Sequence, residues 1–209
     1  MVKIKKDLKK STVFLLFFIL SLLVIIILWI KTSNKVKNIN CSPPSATITE
    51  LTVSNSNTKL LAYFTLNIND PAKLKQILMS GVPIKFIYYL RLYIPHTGLF
   101  NFFNKDIADK ILIKTVNYDS IKGTYQVHTM NMSNTTLYSN SFKEVLADVC
   151  QINDLPITSL NNLEKGKTHI LKVKVEAKKI LTSIPFKDIL TIFSSDIFET
   201  KWYEIKFTY

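Results

Sequence analysis

A chain of 209 residues that is 47% hydrophobic, with thirteen Phe, nine Tyr and only four Gly, has the apolar content to bury a core, which excludes a disordered or low-complexity chain. The formal net charge of +12 is uneven: residues 1–40 hold eight lysines against Asp7, a net of +7, which leaves +5 for the rest. Basic charge crowded around a hydrophobic segment points to membrane topology and anionic lipid heads and away from nucleic acid, which needs a basic face interleaved with aromatics on the domain itself.

Residues 1–11 read as a basic cytoplasmic tail. Thr12 to Ile30 then runs without a charge, and its only polar members are Thr12 and Ser21. Nineteen residues at ~1.5 Å each span roughly 28 Å, close to the ~30 Å of a bilayer's hydrocarbon core. Trp29 sits where an indole lies among head groups. The run is longer than the h-region of a signal peptide, and no small-x-small cleavage site follows. Cys41, preceded by Asn38-Ile39-Asn40, lacks the small residue of a lipoprotein signal. The segment is therefore expected to be an uncleaved, single-pass anchor. Five lysines precede it and three follow closely, which favours a cytoplasmic N-terminus. In a bacterium the rest of the chain then lies in the periplasm, held to the inner membrane through residues 12–30.

Residues 31–45 form a polar linker ending in Ser42-Pro43-Pro44-Ser45. From residue 46 to 209 the pattern is that of one domain. Thr47 to Val53 and Lys59 to Ile68 read as a hairpin turning at Ser54 to Asn57. On the second strand Leu60, Ala62, Phe64, Leu66 and Ile68 share a face. Asp70 and Pro71 open a helix with the stripe Leu74, Ile77 and Leu78, and Gly81 stops it. Val82 to Ile94 is a long strand with Ile84, Phe86, Tyr88, Leu90 and Leu92 on one side. Its other side is apolar enough to be covered for part of its length. After the break at Pro95 to Gly98, residues 99–109 are expected to be a loop or short helix.

Ile111 to Tyr118 and Tyr125 to Met130 read as a second hairpin, and Asn131 to Asn140 as a loop. Ser141 and Glu144 form a capping box for a helix with apolar residues Phe142, Val145, Leu146 and Val149. Thr168 to Ala177 alternates, with Leu171, Val173, Val175 and Ala177 inward and Lys172, Lys174, Glu176 and Lys178 facing water. Asp188, Asp196 and Glu199 read as helix caps and solvated edges. The chain closes on an alternating stretch from Lys201 to Tyr209. About seven strands, two or three helices and no βαβ rhythm predict a mainly β domain, an antiparallel β-sandwich or partly closed barrel preceded by one transmembrane helix.

Several segments, taken in order, resemble the DUF4390 family, bacterial envelope proteins of unknown function. They are Leu74 to Ile84, the tyrosine hairpin Tyr118 to Val127, the helix opening at Ser141-Phe142, and Ile184-Pro185-Phe186 through Phe198-Glu199-Thr200-Lys201-Trp202-Tyr203. The resemblance covers roughly residues 46–207. It implies an N-terminal membrane segment before an envelope domain, and it supplies no catalytic residues. In parts of the family it also hints at a role beside an envelope-sensing histidine kinase.

No G-x-S-x-G, HExxH or P-loop occurs, and the three histidines His96, His128 and His169 are scattered. No catalytic, cofactor or metal residues are therefore assigned, and a non-enzymatic binding or accessory module is expected. The alternatives are an enzyme whose site assembles from dispersed residues and an accessory to a membrane kinase. Cys41 and Cys150 match no CxxC or zinc spacing; they are either a disulfide pair or free thiols. The candidate surface for an envelope protein partner, lipid or other apolar ligand is aromatic: Phe86, Tyr88, Tyr89, Tyr93, Phe100, Phe102, Phe103, Trp202 and Tyr203.

Overall fold

The computed structural model describes residues 45–96, 104–131, 134–180 and 196–209. The chain divides into two units, Met1–Ser42 and Pro43–Tyr209, and the second holds every described element. The expected anchor, residues 12–30, lies outside the described residues, as do Cys41, the stretch Phe100 to Phe103, Asp188 and the apolar run Ile189 to Phe193. Among the described residues no helix is long and apolar enough to cross a membrane.

The first hairpin forms as the alternation predicts. β1 (Ala46–Asn55) pairs antiparallel with β2 (Lys59–Ile68), and the turn is closed by the Ser56 amide donating to the Lys59 carbonyl. The even residues of β2 from Leu60 to Leu66 are buried and the odd ones are not. α1 (Pro71–Met79) starts where Asp70 accepts from the Lys73 amide at 3.1 Å, and it buries Leu74 and Leu78. Gly81, at φ +81°, turns the chain out of the helix into β3 (Ile84–Ile94). Ile84, Phe86, Tyr88, Leu90 and Leu92 are all buried.

The remaining elements are β4 (Lys105–Asp119), β5 (Thr124–Met130), β6 (Thr135–Ser139), α2 (Phe142–Cys150), β7 (Gln151–Ser159), a 3-10 turn at Leu160–Asn162, β8 (Thr168–Lys179), β9 (Asp196–Glu199) and β10 (Tyr203–Thr208). Two antiparallel sheets result. A small one has the order β1-β2-β7. A seven-stranded one has the order β10-β8-β3-β4-β5-β6, with β9 also on β8. Their inner faces share one apolar core, in which the rings of Phe64 and Tyr88 lie 6.2 Å apart. The helices add Leu74, Leu78, Val145 and Val149 to it.

Four expectations need correction. Barrel closure requires first and last strands to pair, but β10 and β6 are opposite edges of an open sheet. Within the stretch 99–109, residues 105–109 are strand, not loop or helix, because β3 is eleven residues long and pairs along β4 down to Lys105. The presumed loop 131–140 contains β6, a largely exposed edge strand whose sequence lacks apolar alternation for that reason. The capping box is rewired. The Ser141 side chain makes no cap bond; the Ser139 hydroxyl instead accepts from the Ser141 amide at 2.9 Å and donates to Glu144 at 2.6 Å.

Candidate functional site

The outer face of the seven-stranded sheet gathers the half-exposed aromatics with the lysines of β8. Register sets this arrangement. β3 and β8 place Tyr89 opposite Lys174 and Ile87 opposite Glu176, and β8 and β9 place Glu176 opposite Glu199. Thr200, 4% exposed, pins the crossing from β9 to β10. Its amide donates to the Val175 carbonyl and its hydroxyl accepts from the Val175 amide, both at 2.9 Å. That pair of hydrogen bonds holds Glu199 and Trp202 beside Lys174.

Lys174 Nζ lies 2.6 Å from Glu199 Oε1 and 2.8 Å from Glu176 Oε1. It also sits over two rings, 5.5 Å from the Tyr89 centroid and 5.8 Å from that of Trp202. Glu176 is the hub: Lys178 Nζ approaches its second oxygen to 2.9 Å, and the Tyr89 hydroxyl donates to it at 3.3 Å. Alongside, Lys172 lies 3.2 Å from Glu204 Oε2 and 5.4 Å from the Tyr93 centroid. A cavity of about 500 Å³, lined by Lys174, Glu199, Thr200, Lys201 and Trp202, opens beside the network.

The electrostatics fix the charge states. Hydrogen bonds to Glu176 and then Glu199 push the Lys174 ammonium up. Burial pushes the Glu176 carboxyl up, but hydrogen bonds from Lys174 and Lys178 outweigh it, and the group is held below its ordinary range. Burial, then the Glu176 charge, raises the Tyr89 phenol. At neutral pH this patch therefore holds two ammonium groups and a carboxylate that keep their charges, and a phenol that stays neutral. None is poised as a general acid or base, which works best with a pKa near the operating pH. The ring faces, by contrast, are pre-positioned by the cations over them.

The aromatic candidates divide sharply. Phe86 and Tyr88 fill the core: Phe86 packs against Phe198 at 6.2 Å, and the Tyr88 hydroxyl donates to the Val149 carbonyl at 2.6 Å. Tyr93 is buried on the outer face under Lys172. Tyr89 is half-buried, and Trp202 and Tyr203 are each 47% exposed, so neither of that last pair fills the core. Asp196 and Glu199 bound a strand, not a helix, and bind Lys178 and Lys174. Nothing in the alternation of β8 distinguishes Glu176 from a solvated residue, yet three partners bury it.

Two further cavities of about 420 Å³ exist. One, between β7 and the β4–β5–β6 side of the large sheet, is lined by the buried Lys114 and by Asp148 of α2, an ion pair at 3.0 Å. The other brings His96 together with Lys105, Glu164 and Lys167. Glu164 accepts from Lys105 Nζ, and that bond holds its carboxyl below the usual range. His169 is wholly buried, bonded to the Lys167 carbonyl at 2.9 Å and stacked on Phe207. Cys150 carries a free thiol that burial pushes up to about 11. Among the described residues no cluster of His, Cys, Asp and Glu could hold a metal ion.

A family model for a domain of unknown function, DUF4390, matches residues 44–206. No curated protein matches the chain, and no solved structure does.

Proposed function

We propose that this chain, which belongs to the DUF4390 family of domains of unknown function, is a membrane-anchored, non-enzymatic binding module of the bacterial envelope that takes a protein partner. In this reading residues 12–30 are the transmembrane helix, the domain is periplasmic, and its two sheets are the layers of a sandwich. The observation that carries the binding role is the Tyr89–Lys174–Trp202 stack. It offers exposed ring surface ordered by ionic contacts whose groups stay in one protonation state, which suits docking and not proton transfer. The protein-partner version is preferred to the apolar-ligand version because Phe86 and Tyr88, which would have lined an acyl groove, are consumed by the core.

Two measurements test the reading. After alkaline carbonate washing, the full-length chain is expected in the membrane pellet, and a chain lacking residues 12–30 in the supernatant. Recovery of the full-length chain in the wash overturns the anchor. A photo-crosslinking residue at position 202 is expected to give a discrete adduct in membranes, while one at Ile121, 96% exposed on the β4–β5 turn, gives none. Uncrosslinked monomer at both positions overturns the docking role.

One observation favours a dispersed active site instead: His96 and the Glu164 carboxylate line the same cavity. Against it, Glu164 is already tied to Lys105, which weakens it as a base. Unaltered partner capture with a lost envelope phenotype in His96→Ala would favour the enzyme.

A further inference from the structure

The ladder register brings several features to one end of the domain. Ile84, the first residue of β3, pairs with Val116 of β4 and with Lys179, the last residue of β8. β4 ends soon after, at Asp119, and a turn over 120–123 leads into β5. Tyr125 of β5 pairs with Ser139, close to the start of α2. α1 runs into β3 at this same end and packs against β4. The chain also enters the domain here: the Asn69 amide, just ahead of α1, donates to the Ser45 carbonyl at 3.0 Å.

This end displays apolar side chains among lysines. Ile121, at the tip of the β4–β5 turn, is 96% exposed, and Met79, the last residue of α1, is 52% exposed. The turn holds Ile121 out in a fixed position, because Asp119 Oδ1 accepts from the Ile121 amide at 3.0 Å and from the Lys122 amide at 3.2 Å. Around the two lie Lys73 and Lys75 of α1, Lys122, Lys143 in the first turn of α2, and Lys179. Among the described residues, Lys122 alone of these five has an ion-pair partner, Asp119 at 3.9 Å. The carboxylates at this end are engaged in the fold itself: Asp70 caps α1, Asp119 braces the turn, and Glu144 accepts from the Ser139 hydroxyl. The lysine charge is therefore left to face outward.

We propose that this end of the domain docks on the bilayer, with Ile121 and Met79 entering the head-group region and the lysines lying over anionic lipid heads. The inference rests on the anchored reading of residues 12–30. Charge and position select the lipid surface as the occupant. A protruding apolar tip set among cations matches a surface that is apolar below and anionic above. Between Ile30 and Ser45 lie 14 residues. At ~3.3–3.6 Å each they reach about 50 Å at most, so the tether keeps the Ser45 end close to the membrane at high local concentration. The attraction of lysines to anionic heads acts within ~10 Å and completes the approach. Docked in this way, the strands of the large sheet stand up from the membrane. Tyr89, five residues along β3 from Ile84, then sits roughly 17 Å above this end, at ~3.4 Å per residue. The Trp202 patch is presented sideways to a membrane-proximal partner. A tip in lipid meets no protein, in keeping with the absence of a protein adduct expected at position 121.

The test reconstitutes the full-length chain, in a Cys41→Ser, Cys150→Ser background, into nanodiscs of phosphatidylglycerol with phosphatidylcholine or of phosphatidylcholine alone. Ser120→Cys carries an environment-sensitive fluorophore beside Ile121. Asn57→Cys, on the β1–β2 turn at the opposite end, carries the same fluorophore. In the anionic discs the label at position 120 is expected to shift to the blue and to lose emission to a nitroxide-bearing lipid, while the label at 57 does neither. Ile121→Asp, Lys73→Glu with Lys75→Glu, and the neutral disc are each expected to restore the emission at 120. An unquenched label at 120 in the anionic discs, equal quenching at 57, or quenching unmoved by these three changes overturns the proposal. A chain that fails to enter the discs overturns the anchored reading and this contact with it. A chain that enters them with the label at 120 still in water overturns this contact alone.

Discussion

Tyr88 shows how a polar atom is made safe in an apolar core. Its ring is wholly buried, its hydroxyl has the Val149 carbonyl as partner, and burial holds the phenol well above its usual range, so it stays a neutral donor. Tyr88→Phe keeps the packing and strands that carbonyl. It is expected to destabilise the protein by about 1–2 kcal/mol in urea unfolding. Glu176 is the opposite case, a buried charge held by two lysines and a phenol. Its folded pKa lies below that of an unfolded Glu, about 4.3. Its contribution is therefore complete above about pH 4.3 and disappears as pH falls through the folded value. Glu176→Gln is expected to lose about 1–3 kcal/mol at pH 7, and the gap to wild type is expected to narrow at pH 3. An equal gap at both pH values would refute the role given to the carboxylate. Sequence alternation put Glu176 on the outer face correctly but could not show its partners. Lys174 and Lys178 are its near neighbours, whereas Tyr89 comes from another strand, 87 residues away.

At the scale of elements, α1 was legible because its signals are local. Asp70 caps, Pro71 starts, Leu74 and Leu78 face the core, and Gly81 stops. A Cβ on Gly81 would meet nothing within 4 Å, so only the left-handed backbone stands against a side chain there. Gly81→Ala is expected to cost about 1 kcal/mol in thermal unfolding, and Gly81→Asn less, since Asn tolerates that conformation. The elements that escaped the sequence are those whose cause lies elsewhere in the chain. Residues 105–109 are strand because β3 extends beside them. β7 hides because a left-handed Asp154 and register shifts break its alternation, even though Ile152, Leu155 and Ile157 are buried. β6 hides because an exposed edge strand needs no apolar face.

At the scale of the whole molecule, the two sheets share one core, so neither has an apolar interior of its own. Far-UV circular dichroism and Trp202 emission, the latter measured in a Trp29→Phe background, are expected to report one coincident unfolding transition. Separated midpoints would mean that the sheets melt apart. The candidate site depends on the same assembly, since its tyrosines come from β3, the lysines over them from β8, and Trp202 from the crossing between β9 and β10. The sequence showed each aromatic separately. Alternation put Tyr88 and Tyr89 on opposite faces of the strand, but both faces were apolar, so both stayed candidates for the surface until the packing showed Tyr88 interior and Tyr89 outward.

The position of Cys150 at the end of α2 has a practical consequence. A thiol raised to about 11 and half-covered by its surroundings is almost entirely un-ionised near neutrality, so alkylating reagents react with it slowly while α2 is docked. With Cys41 replaced by Ser, the labelling rate at this one atom would keep time for the lifting of a single helix, a clock for local opening that runs without unfolding the rest.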